Sequence, residues 1–302
     1  MRKWFSLVLA ATLVIFGITL FQPSLSRSLS KVHPDQAEKT LGQRQSQEMA
    51  AMHAADRPVP SPAIKAMHPE AIVTETVTYG SADGMPFTGY LAHPDGVASD
   101  YPGLIVIQEW WGLNANIKAM TEQLAAEGYT ALAVDLYDGQ VAETPEQAQV
   151  LVQEAIDHAE RLQQNVVAAY TFLDQTIAVP SVGSIGWCFG GTWSLNTALA
   201  LPDQLDATVI YYGGGITTDP EQLKTLTMPI QGHFGALDTR PSPETVQEFE
   251  TVLNDLGQSA QIYLYEEADH AFANPSGTSY NAEAAELAWS RTLEFLAHHL
   301  TR

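Results

Sequence analysis

The sequence predicts an α/β domain built on a mainly parallel central sheet covered by helices on both faces. Three observations predict it. Near-continuous apolar runs such as Gly103–Ile107 and Thr130–Val134 read as strands buried on both sides. Runs with a helical period separate them. The 302 residues, 45 % of them hydrophobic, are enough for one sizeable core.

The elements follow in order. Residues 1–30 read as a signal peptide or an N-terminal membrane anchor. Arg2 and Lys3 precede an apolar run from Trp4 to Phe21, and Ser24, Ser26, Ser28 and Ser30 offer small residues for cleavage. Either reading exports the body of the protein, to a periplasm, a lumen or the outside. Residues 31–69 read as a flexible linker, poor in large apolar residues and punctuated by Pro58, Pro60, Pro62 and Pro69. One marginal helix around residues 43–53 is allowed. His33, His53 and His68 have irregular spacing and no cysteine partners, so they read as solvated linker residues, and no metal site is expected.

The domain itself spans 70–302. Residues 72–79 and 87–92 alternate apolar with polar side chains and predict an opening hairpin. Strand Gly103–Ile107 is followed by a helix over 116–127, then strand Thr130–Val134. Leu151, Ala155, Leu162, Val166, Ala169 and Leu173 predict one long helix, or two, over 146–173. A strand at 181–185 leads to a helix over 192–200. Strands at 207–212 and 228–234, a helix over 243–256, a strand at 261–265 and a helix over 282–298 complete the chain.

Charge excludes some partners. The net charge is −21, and without Arg2, Lys3 and Arg27 the remaining 11 bases face 35 acids. Such a surface disfavours nucleic acid and anionic lipid. Cys188 is the single cysteine, so no disulfide forms within the chain.

That cysteine lies in Gly186-Trp187-Cys188-Phe189-Gly190-Gly191, between a predicted strand and a predicted helix. Strand, sharp glycine-framed turn and helix are the layout of a nucleophile elbow, with Cys188 in the nucleophile's place. A thiol nucleophile needs a base and a group to orient that base. Asp238 follows the strand at 228–234 and His270 follows the strand at 261–265, in the chain order nucleophile, acid, histidine. Parallel strands bring such C-terminal ends to one crevice. His233 competes with His270 but sits inside its strand, which suits packing. Asp269 competes with Asp238 but adjoins His270 and is poorly placed to take its ring N–H. Glu109 ends a central strand beside Trp110 and Trp111, where partial desolvation should raise its pKa. The backbone N–H groups of Phe189 and Trp110 are the oxyanion-hole candidates.

Five segments together resemble the dienelactone hydrolase (carboxymethylenebutenolidase) family of α/β-hydrolases. They are Gln108-Glu109-Trp110-Trp111-Gly112-Leu113-Asn114, Asp135-Leu136-Tyr137, the elbow, Tyr211-Tyr212-Gly213, and Glu266-Glu267-Ala268-Asp269-His270-Ala271-Phe272. The resemblance implies the α/β-hydrolase fold and a Cys188–His270–Asp238 triad. It implies that Glu109 interacts with the resting cysteine. The implied reaction opens an ester or lactone through a thioester acyl-enzyme, with no cofactor and no metal. Tyr212, Trp111, Tyr137 and Asn274 are its substrate-binding candidates. Two arginines that bind the substrate carboxylate in the family are replaced here by Gly139 and Asn274, which argues against a small dianionic lactone. Arg240 is a substitute candidate. The alternative is a ligand-binding or sensory protein on the same scaffold without turnover. The expected partner is a small-molecule ester or lactone, the expected state a monomer, and membrane anchoring requires an uncleaved N-terminal segment.

Overall fold

The computed structural model describes residues 72–301, together with residues 47, 49–51, 53 and 54. The segment read as a signal peptide or anchor lies outside them, as do His33 and His68. Among the described residues no helix is long and apolar enough to cross a membrane.

Eight strands form one sheet in the order β1-β2-β4-β3-β5-β6-β7-β8. The hairpin β1 (Ile72–Ala82) and β2 (Met85–Pro94) is antiparallel. Its turn places Asp83 and Gly84 at positive φ, 51° and 78°. Asp-Gly is the pair that this tight turn favours. β2 joins β4 (Thr130–Val134) antiparallel. From β4 onward, β3 (Gly103–Ile107), β5 (Val182–Trp187), β6 (Ala207–Tyr211), β7 (Ile230–Gly235) and β8 (Ala260–Tyr265) pair in parallel. Every residue of β3, β4, β5, β6 and β7 is buried, as the mainly apolar runs of β3 and β4 lead one to expect, and β7 buries Gln231 and His233 as well.

The connecting helices are α1 (Ala115–Ala126), α2 (Pro145–Asp157), α3 (Ala159–Thr171), α4 (Phe189–Ala200), the single turn α5 (Pro220–Leu223), α6 (Pro243–Asp255) and α7 (Ala282–Leu300). The stretch over 146–173 is two helices, broken at His158, whose φ of −120° and ψ of 37° leave the helical region. Caps fix the starts. Asn114 Oδ1 accepts from the N–H groups of Asn116 and Ile117, and Ser242 and Asn281 cap α6 and α7 in the same manner. Asn114, the last residue of the Gln-Glu-Trp-Trp segment, thus sets where α1 begins.

One part of the linker is not solvated. Residues 49–51 are helical, Met49 is buried, and Ala50 packs against the core. His53 follows with 4 % of its surface exposed. The solvated reading is therefore corrected at Met49, Ala50 and His53, while the helix allowed around 43–53 is present at residues 49–51. Met49 and Ala50 give it an apolar side, and packing rather than propensity holds so short a helix.

Candidate active site

The site lies at the C-terminal rim of the parallel strands. Cys188 follows β5 directly and holds φ 56° and ψ −116°, a strained conformation for a residue with a side chain. The surroundings impose it. Cys188 N–H donates to Tyr211 O at 3.0 Å, prolonging the β5–β6 ladder, while Phe189 already begins α4. A side chain on Gly186 would run into the Gly190 backbone, and one on Gly190 into the carbonyls of Ile107 and Gln108. The glycine frame is thus the only way for α4 to leave the sheet this tightly. As the first residue of α4, Phe189 presents a backbone N–H with no acceptor inside the helix.

Asp238 and His270 come together as the sequence predicts. His270 Nδ1 donates to Asp238 Oδ2 at 2.8 Å, and both side chains are almost fully buried. Asp269 instead accepts from the His270 backbone N–H at 2.7 Å, shaping the turn behind the ring. His270 Nε2 is buried and makes no hydrogen bond of ordinary geometry. It meets the thiol electrostatically. Burial opposes charge on both groups, but the pair prevails: His270 is raised well above its ordinary value by Cys188 and Asp238. Burial likewise resists ionisation of Cys188, yet His270 and then His53 bring its pKa down to about 6.

His53 is the residue that sequence reasoning missed. Its Nε2 lies 3.5 Å from Cys188 Sγ. The ring stands 4.8 Å from the Trp110 ring and edge-on, 5.0 Å away, to His270. The donor atoms of His53, Cys188 and His270 all lie within 4.8 Å of one another. Soft cations use such a set, and a histidine held by a carboxylate beside an acidified thiol also suits proton transfer.

Glu109 is buried and accepts from Asn274 Nδ2 at 2.9 Å, while Asn274 Oδ1 takes the Ser276 N–H and hydroxyl. Asn274 thus holds the glutamate. Trp110 and Trp111 are buried against each other, with ring centroids 4.9 Å apart. Tyr212, at φ 36°, sets its ring edge-on to His270 at 5.3 Å. Tyr137 packs 5.8 Å from Phe189, in a loop fastened by Asp135, which accepts from the N–H groups of Tyr137 and Gly139. Arg240 donates its backbone N–H to Asp238 Oδ1 and lines a cavity of about 240 Å³ with Met49, Phe189, Thr192, Trp193 and Gly214. His233 stays in β7, as expected of a packing residue.

Known proteins share this arrangement of strands. The family model of the dienelactone hydrolase family matches residues 87–300. A Synechocystis sp. protein assigned as a carboxymethylenebutenolidase is 35 % identical over 237 residues, covering 72 % of this chain and 93 % of its own. The carboxymethylenebutenolidase of Pseudomonas putida is 30 % identical over 240 residues, covering 75 % of this chain and 97 % of its own. A crystal structure from Klebsiella pneumoniae, of a protein assigned as a dienelactone hydrolase, superposes with a TM-score of 0.67 at 27 % identity, covering 76 % of this chain and 99 % of that one. His53 precedes the matched region. A family match over most of the chain, on an eight-stranded sheet with its elbow at the rim, makes this protein a member of the dienelactone hydrolase family and a hydrolase of the α/β-hydrolase fold.

Proposed function

We propose that the protein hydrolyses an ester or lactone by covalent catalysis at Cys188. The observation that carries this reading is a strained elbow cysteine facing a histidine whose far nitrogen is fixed by Asp238 at 2.8 Å. Cys188 Sγ, as thiolate, adds to the acyl carbon. The Phe189 and Trp110 backbone N–H groups hold the oxyanion. The carbon–oxygen bond breaks, and the leaving alkoxide takes the proton from His270 Nε2. Water then gives a proton to neutral His270 and adds to the thioester. The carbon–sulfur bond breaks, releasing the acid and restoring the thiolate–imidazolium pair.

Thiolate leaves more readily than most alkoxides, so enol, aryl and strained lactone esters should react better than alkyl esters. The positions of the family's two carboxylate-binding arginines support an uncharged or singly charged substrate. Gly139 has open space around it, and Asn274 is engaged with Glu109. Brief exposure to a panel of activated esters, followed by intact-mass analysis, tests the reading. The expected result is one acyl group on Cys188 that decays with turnover. Hydrolysis that persists undiminished in Cys188→Ala, with no acyl adduct on the wild type, would defeat it.

A further inference from the structure

We infer that His53 is a catalytic residue of this site, the hydrogen-bond donor that holds the Cys188 sulfur as thiolate, and that the active site therefore draws on a residue ahead of the family domain. This rests on the reading of Cys188 as nucleophile. Three observations place His53 there. Its Nε2 reaches Sγ at 3.5 Å, hydrogen-bond distance for sulfur. Its ring is seated by Trp110 and stands edge-on to His270, so its position is set by packing rather than by chance approach. The turn that carries it is docked through Met49, which is buried and walls the cavity beside Phe189.

A second imidazole solves a problem inherent in a cysteine triad. His270 must give its proton to the leaving alkoxide and then act as a neutral base toward water. The sulfur is expelled after His270 has taken the water's proton, and a second donor shares the stabilisation of the charge that returns to Sγ. His53 Nε2–H donates to that sulfur as the carbon–sulfur bond breaks and the electron pair returns to Sγ. No proton leaves His53, so the balance of the reaction is unchanged. The work is divided: His53 steadies the sulfur and His270 moves the proton.

The other groups around the thiol cannot take this part. Glu109 and the Tyr137 and Tyr212 phenols approach the site from the strand ends after β3, β4 and β6, and Asp238 stands behind His270. Carboxylates would raise the thiol's pKa, and burial and the charge of Cys188 hold Tyr137 well above the usual phenol range. Among the described residues, the two imidazoles are what lower the thiol's pKa.

Three variants separate a donor from a space-filler: His53→Gln, which keeps an N–H near the Nε2 position, His53→Leu, which fills the space without a donor, and His53→Ala. The readout is thiolate absorbance and iodoacetamide alkylation against pH, which need no turnover and so stand apart from the ester test of Cys188. The expected midpoint in His53→Leu and His53→Ala moves up by about one to two pH units, the effect of one lost hydrogen bond to a charged group. His53→Gln should stay closer to wild type, and His53→Leu should hold its acyl-enzyme about tenfold longer. An unmoved midpoint in His53→Leu overturns the inference. So does a His53→Gln midpoint displaced as far as that of His53→Leu. Turnover that rises in His53→Ala overturns it too, because the segment would then be a plug.

Discussion

Two buried histidines of this protein, His233 and His270, have their pKa values pushed in opposite directions, and the contrast shows what makes a site. His233 lies inside β7 with no exposed surface. Its nitrogens meet the Tyr265 hydroxyl and Gln231 Oε1, each at 2.9 Å, and the Thr292 hydroxyl at 3.1 Å. Burial, then the charge of Arg291, pushes its pKa down to about 3, so it is neutral at every ordinary pH. His270 is as deeply buried and pays the same desolvation penalty. It stands one strand over at the rim, however, with Asp238 on one nitrogen and the thiol on the other, and its pKa goes up. Desolvation acts alike on both rings; the neighbouring charge decides. The strand interior offers neutral partners, while the rim offers anions that loops can bring together.

The largest effects should fall on the rim. Cys188→Ala should lower kcat/KM by at least about 10⁴-fold with its melting temperature little changed, because the covalent route is removed whole. A loss below tenfold in steady-state assays would break the distinction at its centre. Asp238→Asn should cost about 10²–10⁴-fold, since the amide leaves the ring without its carboxylate and favours the wrong tautomer. It should also raise the alkylation midpoint of Cys188, because a His270 that is harder to protonate is a poorer partner for thiolate. A midpoint that stays in place would mean that Asp238 orients the ring without tuning it.

The pH dependence follows from the same pair. The folded thiol has its pKa lowered to about 6, against an ordinary value near 8.5. The charged form is favoured, so alkylation should be fast above about pH 6 and lost as pH falls through it. A midpoint near pH 8.5 would show that the imidazoles do not hold a thiolate in the resting protein.

Legibility in the sequence follows the same division. The strands were readable because sheet burial on both faces demands unbroken apolar runs, and Gly103–Ile107 and Thr130–Val134 have the predicted bounds. The meeting of Asp238 with His270 was readable because each follows a strand, and the fold converges strand ends. The break at His158 was not, since either side of it continues one helical period. His53 was not readable either. It stands in a Pro- and Gln-rich stretch with no strand beneath it, and the contact that buries it is 135 residues away in sequence. What could have found it is Met49, the large apolar residue one helical turn earlier in a polar segment. Asn274 was legible as the loss of an arginine and as a substrate-binding candidate, not as the amide that holds Glu109.

The smallest catalytic effect should come from the other histidine. His233→Leu fills similar space but leaves Gln231 Oε1, the Tyr265 hydroxyl and the Thr292 hydroxyl without their imidazole partner, deep in the sheet. Each unsatisfied buried group costs about 1–3 kcal/mol, less where neighbours can rearrange. Arg291 still donates to the Tyr265 oxygen at 3.3 Å but cannot accept its O–H, while Tyr211 can retain Thr292 at 2.6 Å. Gln231 keeps its Nε2 bond to Gln261, yet its Oε1 loses a donor. Two groups then lose their partner, for a net loss of about 2–6 kcal/mol that lowers Tm by roughly 4–24 °C for a domain of this size. Below that transition, kcat/KM should remain within about threefold of wild type and the Cys188 midpoint near pH 6. Thermal melts and alkylation profiles on one preparation would check both. A folded variant with kcat/KM reduced more than about tenfold would show that the His233 network reaches the rim through Tyr211 and Tyr265, and that interior and site act as one unit.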